Sequence, residues 1–505
     1  MNEIPGLNFD ELKVQKLEEL QADGVLAYPW TFSRTHTADQ ILSRFSEISH
    51  EKSEEVVTAA GRLYTKRSHG KTTFADLGDE SGKIQLYIRK NDLGDEAYTF
   101  FSKNIDAGDI VGVTGHVFRT KVGEISIWAD EITLLAKSVC QLPEKYHGLT
   151  KVETRYRQRY LDLIGNQEAR EIFKTRSRII SSLRSVLDEK GYMECETPTI
   201  QPVYGGANAR PFTTYHNYLE QKLYLRIAPE LYLKRLIVGG FEKVFEISKN
   251  FRNEDIDTHH NPEFTMIEIY AAYADYHDMM NLTEELVSEL VRGAAGSYEV
   301  LYEEKAINFA PPWKRVSMEQ SVLDATGIDV NSASPEELRR FADQEMIEGR
   351  EKAAARGEYL ALFFEHFVEP TLIQPTFIYD FPIENSPLAK KHRSKPGYTE
   401  RFELFVAGME LANGFSELND PLDQKSRFEE QDAKRRQGDL EAQMIDYDFI
   451  NALGYGMPPT GGVGIGIDRL VMLATGQNSI KEVILFPSMK PIRSGEEESE
   501  NEPAE

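Results

Sequence analysis

The sequence has few cysteines and no long apolar run, and we expect no secretory leader. Only Cys140 and Cys195 occur among 505 residues, and their separation matches no metal-binding spacing. This scarcity excludes a disulfide framework and is typical of a reducing compartment, so we expect a cytoplasmic location. No run of about 18 apolar residues is present to cross a membrane. Met1–Pro5 lacks the basic start and apolar stretch of a signal peptide.

Positive charge is also scarce. Lys and Arg number 58 against 83 Asp and Glu, for a formal net charge of −25. This argues against a generally basic nucleic-acid-binding coat, although a local basic face is enough to bind RNA. Arg62–Lys71 and Lys151–Lys190 are locally basic, and each is either a phosphate contact or a solvated surface. The last ten residues hold six glutamates, so we predict that residues 493–505 form a disordered acidic tail.

The length predicts two or three domains. Residues 1–55 contain a helical pattern and form a predicted N-terminal helical extension. Residues 56–142 contain five short alternating segments separated by turn signals, which favours a five-stranded OB-fold β-barrel. Residues 143–150 are predicted to be a linker, and residues 151–492 a larger α+β domain.

The larger domain begins with helical patterns and continues mostly as strands. Apolar residues repeat at helical spacing over residues 167–190, and Gly191 supplies a C-terminal cap. Another helix is predicted from Asp420-Pro421 to Gly438. Residues 276–366 are polar and are predicted to be a helical insert.

Two predicted strands, residues 245–254 and 262–270, are the most informative feature. Because side chains alternate along a strand, Arg252 lies on one defined face, and Phe264 and Glu268 share a face of the second strand. An arginine, an aromatic ring and a carboxylate suit a phosphate, a flat base and an ammonium group. The alternative is a polar, solvated sheet face with Phe264 in a core.

A glycine-rich segment, Gly461–Leu470, reads as a strand that runs into a helix. Ile467 follows Gly466 where a P-loop requires lysine, and the glycine spacing is not that of a dinucleotide fingerprint. Small residues allow a ligand to lie against the strand, and Arg469 opens the helix where the helix dipole also faces an anion. The alternative is close strand packing with Arg469 in an ion pair.

A third motif places Glu410 and Glu417 on either side of an Asn413-Gly414 turn signal. Two carboxylates near a nucleotide suggest Mg²⁺, which binds a few hard oxygen ligands and keeps its waters. The same carboxylates are alternatively partners of the two arginines in a structural network.

Further carboxylates, Glu230 and Glu268, would make a site that includes Glu410, Glu417 and ATP strongly self-repelling. A metal ion relieves part of this repulsion, and a cationic substrate relieves more. The charge pattern therefore indicates a lysine-like ligand.

The second and third strands of the predicted barrel place Phe74, Gln85 and Tyr87 on one outer face. An aromatic ring beside an amide is typical of barrels that hold single-stranded bases. The alternative is that Phe74 belongs to the core and Gln85 is merely solvated.

These motifs together resemble the class II lysyl-tRNA synthetases across nearly the full chain. The resemblance implies a catalytic domain with an antiparallel sheet flanked by helices. The matching segments are motif 1 at residues 191–198, motif 2 at 251–264, motif 3 at 464–469, and the lysine-specific loops at 205–212 and 413–417. Those two loops distinguish the chain from aspartyl and asparaginyl enzymes.

The resemblance also implies roles for single residues. The implied ATP-binding residues, of which Arg252 and Arg469 are catalytic, are Arg252, Glu254, His260, Asn261, Phe264, Glu410 and Arg469. The implied lysine-binding residues are Gly206, Glu230, Glu268, Tyr270, Asn413, Phe415 and Glu417. Glu410 and Glu417 would hold Mg²⁺, which leaves Glu417 with two roles that the sequence does not apportion. Phe74 and Gln85 would read the anticodon.

The implied partners are ATP, L-lysine, tRNA(Lys) and a second copy of the chain, with no membrane. The implied reaction joins lysine to ATP and then to the tRNA 3′ end.

Two other interpretations of the function stay open. A protein-lysylating ligase would share the catalytic domain but lack the barrel, and a non-catalytic RNA-binding relative would keep the barrel but lose the phosphate ligands.

Overall fold

The computed structural model describes residues 8–142, 149, 151–351, 353–439 and 441–491, and the chain forms two compact units, of which the second spans residues 149–490. The predicted linker lies outside the described residues except for residue 149. The predicted acidic tail lies outside them altogether. In the part of the chain that is described, no helix combines the length and apolar character needed to cross a bilayer.

The first unit contains a β-barrel with short helices. Its elements are α1 (Glu11–Ala22), α2 (Ala38–Arg44), β1 (Val56–His69), β2 (Thr72–Gly78), β3 (Lys83–Arg89), α3 (Lys90–Leu93), α4 (Asp95–Asn104), β4 (Ile110–Arg119) and β5 (Ile125–Ala136). The described strands pair in the closed order β1-β2-β3-β5-β4, with β3 and β5 parallel and the other pairs antiparallel. The predicted five-stranded barrel is confirmed.

Strand alternation builds the interior of the barrel. On β2 and β3, Ala75, Leu77, Ile84 and Leu86 are buried, while the residues between them face outward. This is the period of two that a half-buried strand requires. The barrel core is therefore filled by small and branched apolar side chains, and β2 and β3 present a separate outer surface.

The second unit is larger and mixes helices with strands. Its helices are α5 (Val152–Arg157), α6 (Arg159–Gly165), α7 (Gln167–Glu189), α8 (Glu230–Val238), α9 (Tyr276–Ala295), α10 (Met318–Thr326), α11 (Pro335–Gln344), α12 (Arg356–Phe363), α13 (Pro421–Arg436), α14 (Tyr447–Gly454), α15 (Ile467–Thr475) and α16 (Ile480–Val483). Its strands are β6 (Met193–Glu194), β7 (Ile200–Gln201), β8 (Thr213–His216), β9 (Gln221–Leu225), β10 (Lys243–Phe251), β11 (Glu263–Ala272), β12 (Glu299–Tyr302), β13 (Lys305–Asn308), β14 (Lys314–Ser317), β15 (Thr376–Pro382), β16 (Tyr398–Val406), β17 (Met409–Ser416) and β18 (Thr460–Gly466).

A large sheet organises the second unit, with the order β14-β15-β16-β17-β18-β11-β10-β6. From β15 to β10 every pair is antiparallel, and the edge strands β14 and β6 join in parallel. The glycine-rich β18 therefore lies at the centre, between β17 and β11. This order brings together three motifs that are far apart in the sequence.

The helix predicted over residues 167–190 is observed as α7. Its N-cap Asn166 accepts hydrogen bonds from the backbone of Glu168 and Ala169, and Gly191 follows its end with a positive φ of 78°. The apolar stripe of α7, including Leu183 and Leu187, is buried in the main core beside the sheet. Capping and periodicity together explain why its ends were predictable.

The prediction that residues 276–366 form a helical insert is wrong in part. The segment also contains β12, β13 and β14, and β14 pairs with β15 at the edge of the main sheet. The first helix, α9, buries Met280 and Val287 in the main core. These strands have four residues each, which is too short for an alternating pattern to be read reliably, and long-range pairing decides their conformation.

Candidate active site

A cavity of about 420 Å³ opens on the face of the central strands β10, β11, β17 and β18. Each of the residues predicted from the sequence to bind ATP or lysine lines it. These residues are Gly206, Glu230, Arg252, Glu254, His260, Asn261, Phe264, Glu268, Tyr270, Glu410, Asn413, Phe415, Glu417 and Arg469. The structure thus brings both predicted sets into one site.

The glycines of β18 form the floor of the cavity. Gly464 lies between Glu268 of β11 and Asn413 of β17 in the pairing register. A Cβ atom on Gly464 would approach the Met266 methyl group to 2.8 Å, and one on Gly462 would meet the Glu417 carboxylate. Side chains on this strand would fill the space above it, so glycine keeps the floor open.

At one end, which we call the arginine end, Arg252 follows the last residue of β10 and lies beside Phe264 of β11. The guanidinium carbon of Arg252 lies 5.1 Å from the centroid of the half-buried Phe264 ring. Arg252 Nε is buried and has no hydrogen-bond partner among the described residues. Burial lowers the pKa of Arg252, although the carboxylate of Glu254 opposes the shift. A guanidinium whose buried Nε donor is unused is suited to bind an anionic ligand.

Arg469 completes the arginine end from the first turn of α15. Its guanidinium donates to the backbone carbonyl of Glu410 and lies 3.1 Å from His260 Nε2. His260 Nδ1 in turn lies 2.8 Å from the carboxylate of Asp257. These contacts hold Arg469 at the cavity, where a second positive charge faces the same space as Arg252.

The other predicted ATP-binding residues lie around this end. Glu254 and His260 are exposed in the loop between β10 and β11. Asn261 is buried, and its amide donates to the Glu263 carbonyl at 2.5 Å and accepts from the Ser488 backbone at 3.2 Å. Because its side chain is hydrogen-bonded to backbone groups, Asn261 holds the loop between β10 and β11 in place in this structure.

At the opposite end, which we call the carboxylate end, acidic groups are buried. Glu268 is 4% exposed and accepts a hydrogen bond of 2.9 Å from the Tyr270 hydroxyl. Burial and, to a smaller extent, the carboxylate of Glu230 raise the pKa of Glu268 to about 8. The same burial raises the pKa of Tyr270 well above its usual value. This end favours a ligand that supplies positive charge.

Glu230 and Glu417 share a buried lysine at the carboxylate end. Lys234 Nζ donates to Glu230 Oε1 at 2.5 Å and is in ion-pair contact with Glu417 Oε2. Burial raises the pKa of both carboxyls, and Lys234 opposes this. Although burial acts to lower it, the two carboxylates raise the pKa of Lys234. Glu417 Oε1 accepts no hydrogen bond within the described structure, whereas Oε2 is held by Lys234.

Gly206, Asn413 and Phe415 complete the wall. Gly206 has a φ of 91°, and a Cβ there would lie 3.1 Å from the Glu230 Cβ. Asn413 Oδ1 accepts a hydrogen bond of 3.2 Å from Arg401 Nε, and the Phe415 ring faces Lys234. Glycine at position 206 therefore lets the loop pass close to the carboxylate end.

The two carboxylates predicted to hold Mg²⁺ lie at opposite ends of β17, with Glu410 near its start and Glu417 just after its last residue. Glu417 is surrounded by Lys234 and the buried carboxylates, whereas the carboxylate beside Glu410 is Glu403. Burial raises the pKa of Glu403 to about 8, the guanidinium of Arg401 opposes this shift, and the carboxylate of Glu410 adds to it. Among the described residues no group of three or more acidic, histidine or cysteine side chains forms a metal cage. Two carboxylates nevertheless suit Mg²⁺, which completes its shell with water and phosphate oxygens.

Sequence reasoning missed Lys234, Arg401 and Glu403. Arg401 and Glu403 alternate on β16 and form an ion pair, so the period of two was a usable signal. Lys234 lies four residues after Glu230 on α8, which is the spacing of a helical ion pair. Nothing local indicated that Lys234 is fully buried, because its second partner, Glu417, comes from a distant strand.

The barrel carries a separate candidate nucleic-acid surface. Phe74 and Tyr87 are opposite each other on β2 and β3, with ring centroids 5.1 Å apart, and Trp128 stands 4.7 Å from Tyr87. Gln85 accepts a hydrogen bond of 3.0 Å from the Ser126 hydroxyl. Phe74 lies on the outer face rather than in the barrel core. A set of partly exposed rings on an outer face is suited to stack bases.

Comparisons with known proteins agree with this geometry. A family model described as tRNA synthetases class II (D, K and N) matches residues 151–490, and one described as an OB-fold nucleic acid binding domain matches residues 57–135. A protein of Methanoculleus marisnigri named lysine–tRNA ligase is 68% identical, covering 98% of each chain. A protein of the same name from Methanospirillum hungatei is 62% identical over 97% of each chain. Another, from Carboxydothermus hydrogenoformans, is 54% identical over 95% of this chain and 98% of the relative. The chain therefore belongs to the lysine–tRNA ligases of the class II tRNA synthetase family.

Proposed function

We propose that the protein activates L-lysine with ATP and transfers it to the 3′ end of tRNA(Lys). In the first step the lysine carboxylate attacks the α-phosphorus of ATP, lysyl-adenylate forms and pyrophosphate leaves. In the second step a ribose hydroxyl of the tRNA attacks the lysyl carbonyl and releases AMP. The first step requires no protein nucleophile, because the carboxylate is already ionised.

The arginine end would act by positioning and by neutralising charge on the phosphates. Arg252 is assigned to the α-phosphate and the lysine carboxylate, and its unused buried donor supports this. Phe264 would stack under adenine, and Arg469 would cover the base from the other side near the γ-phosphate. Glu254, His260 and Asn261 remain assigned to ATP, with the side chain of Asn261 acting through the loop that it fixes.

The carboxylate end would bind the two ammonium groups of lysine. Glu230, Glu268 and Glu417 supply negative charge there, and Tyr270 supplies a polar group beside Glu268. Gly206, Asn413 and Phe415 would shape the wall around the substrate.

Mg²⁺ is assigned to Glu410 together with Glu403, because these neighbouring carboxylates lie at the ATP end. Bound there, the ion would neutralise phosphate charge. Glu417 was predicted from the sequence to share this role. Its ion pair with Lys234 and its buried carboxylate neighbours favour the substrate role instead.

Each of the two units would have its own function. The barrel is assigned to the anticodon, through Phe74 and Gln85, and the second unit to the chemistry. A homodimer is proposed from motif 1, which corresponds to α7 and the segment after it, and a cytoplasmic location from the scarcity of cysteine. Sedimentation of the full chain tests the dimer, and a single monomeric species would contradict it.

The observation that carries this function is one cavity with two arginines at one end and three buried carboxylates at the other. The test is pyrophosphate exchange screened against the standard amino acids, followed by charging of a tRNA mixture. We expect lysine-dependent exchange and charging of tRNA(Lys) alone. Exchange without tRNA charging would favour a protein-lysylating ligase, and no exchange would favour a non-catalytic relative.

A further inference from the structure

A buried lysine lies behind the carboxylate end and is absent from the set of residues that line the cavity. Lys234 is on α8, one turn after Glu230, and its side chain has 0% exposure. Its ammonium contacts Glu230 and Glu417, and it lies 5.3 Å from the centroid of the Phe415 ring. One internal cation thus joins α8 to the residue that follows β17.

The charges at this end do not cancel. Three carboxylates, on Glu230, Glu268 and Glu417, are buried beside the single ammonium of Lys234. When all are ionised, two negative charges remain. Free lysine carries two ammonium groups, and its carboxylate is assigned to Arg252. The surplus charge therefore matches the two positive charges of the substrate only because Lys234 is present.

We propose that Lys234 is a positioning residue for substrate recognition, which holds Glu230 and Glu417 in place and sets the charge of the pocket for a ligand with two ammonium groups. This inference rests on the proposed assignment of those two glutamates to lysine. Because Lys234 does not line the cavity, it acts through the carboxylates and not by contact with the substrate.

The physical reason is the cost of burying charge. A buried carboxylate that loses its cation takes up a proton or moves toward another partner. A protonated or displaced Glu417 no longer offers a charged acceptor to an incoming ammonium. With Lys234 held against Glu417 Oε2, Glu417 Oε1 still has no hydrogen-bond partner within the described residues, so Oε1 is available to a ligand.

The test is Lys234→Met, which removes the charge and keeps the length of the side chain. Because the lost interaction is a charge-assisted hydrogen bond, we expect KM for lysine in pyrophosphate exchange to rise by about tenfold to a hundredfold. KM for ATP and kcat should change by less than about threefold, since the arginine end is untouched. An unchanged or lower KM for lysine would overturn the proposal, as would equal losses in all three constants.

Lys137 offers a matched control. It is also a fully buried lysine that pairs with two carboxylates, Asp106 and Asp109, but it belongs to the barrel unit. Lys137→Met should lower the melting temperature and leave KM for lysine unchanged in the same assay.

A second variant covers the case in which Lys234→Met does not fold. Lys234→Gln keeps hydrogen-bond donors and removes the charge, and it is judged by the same change in KM. The outcome is separable from that of the proposed function. If the unaltered protein shows no lysine-dependent exchange, the proposed function fails. If it does, and the folded Lys234 variants keep a normal KM for lysine, only this inference fails.

Discussion

At the scale of single residues, the binding properties of the cavity depend on charged groups whose pKa values are shifted by burial. Arg252 keeps a buried donor unused, and Glu268 keeps a proton to higher pH than an exposed glutamate does. Both the unused donor and the buried carboxyl are energetically unfavourable without a ligand. A ligand of opposite charge stabilises each of them. Such groups are typical of functional sites.

Replacement of Arg252 tests the arginine end. Arg252→Ala should reduce lysine-dependent pyrophosphate exchange at least about a hundredfold, because a preorganised donor to the reacting phosphate is lost. The melting temperature should stay close to that of the unaltered protein, since the buried Nε has no partner to lose within the described residues. Arg292→Ala, at an exposed arginine on α9, should leave exchange unchanged. Near-normal exchange by Arg252→Ala would remove this residue from the mechanism.

The titration of Glu268 predicts how lysine binding depends on pH. Its pKa is raised to about 8, so in the empty site the carboxyl holds a proton below that pH. A bound ammonium favours the ionised form, so binding releases the proton. The value of kcat/KM for lysine should therefore rise with pH until about 8 and then level off, by up to about tenfold per pH unit.

The matched variant is Glu268→Gln. It removes the titrating group, so kcat/KM for lysine should be lower and should lose this rise with pH. The KM for ATP should show the same pH dependence in both proteins. A pH profile that is identical in Glu268→Gln and the unaltered protein would assign the titration to another group.

At the scale of elements, the central position of β18 explains why its glycines matter. Neighbouring strands place Tyr270 and Phe415 on either side of Gly462. A Cβ at Gly462 would lie 2.6 Å from Tyr270 Cε1 and would also meet the Glu417 carboxylate. Tyr270 is held by its hydrogen bond to Glu268, and Glu417 by its ion pair with Lys234. Because both side chains are buried, neither can move away easily from an added methyl group.

Gly462→Ala should therefore disturb the carboxylate end. We expect KM for lysine to rise at least about tenfold, since the added methyl group displaces Glu417 or Tyr270. Gly293→Ala is the control, because this exposed glycine in α9 has no atom within 4 Å of an added Cβ. It should leave lysine KM unchanged and raise stability by about 0.5–1 kcal/mol, as expected for alanine in a helix. Equal lysine KM in both variants would contradict the role of the β18 floor.

At the scale of the whole molecule, two units carry two separable sets of contacts. Under the proposed function, activation of lysine uses only the cavity of the second unit, whereas tRNA charging also uses the aromatic surface of the barrel. The family models match the two units separately, over residues 57–135 and 151–490. Variants on the barrel should consequently divide the two half-reactions.

Phe74→Ala tests this division. Loss of one base-stacking ring should raise KM for tRNA about tenfold, given about 1–3 kcal/mol per stacked base, and should leave pyrophosphate exchange unchanged. Trp30→Ala removes a ring that is 91% exposed in the same unit but has no contact with the aromatic set in the described structure. It should leave both activities unchanged. A loss of exchange in Phe74→Ala would show that the units are not functionally separate.

Much of the site was predictable because its motifs lie on regular elements. The period of two placed Phe264 and Glu268 on one face of β11, and the glycine pattern identified β18 and the start of α15. The role of Glu417 was less predictable, since its position relative to Glu410 depends on bulged pairing between β16 and β17. Short edge strands such as β14 were missed because pairing, and not local pattern, forms them.

The sequence by itself determined the elements that have strong local signals. These are the capped helix α7, the alternating barrel strands and the glycine-rich strand before Arg469. Only the tertiary structure decided that Lys234 is a buried cation between Glu230 and Glu417. The helical spacing of four residues brings Lys234 next to Glu230, but the order of strands in the sheet determines where Glu417 lies. Local periodicity determines which residues share a face, whereas long-range packing determines which faces meet and how much charge is buried between them.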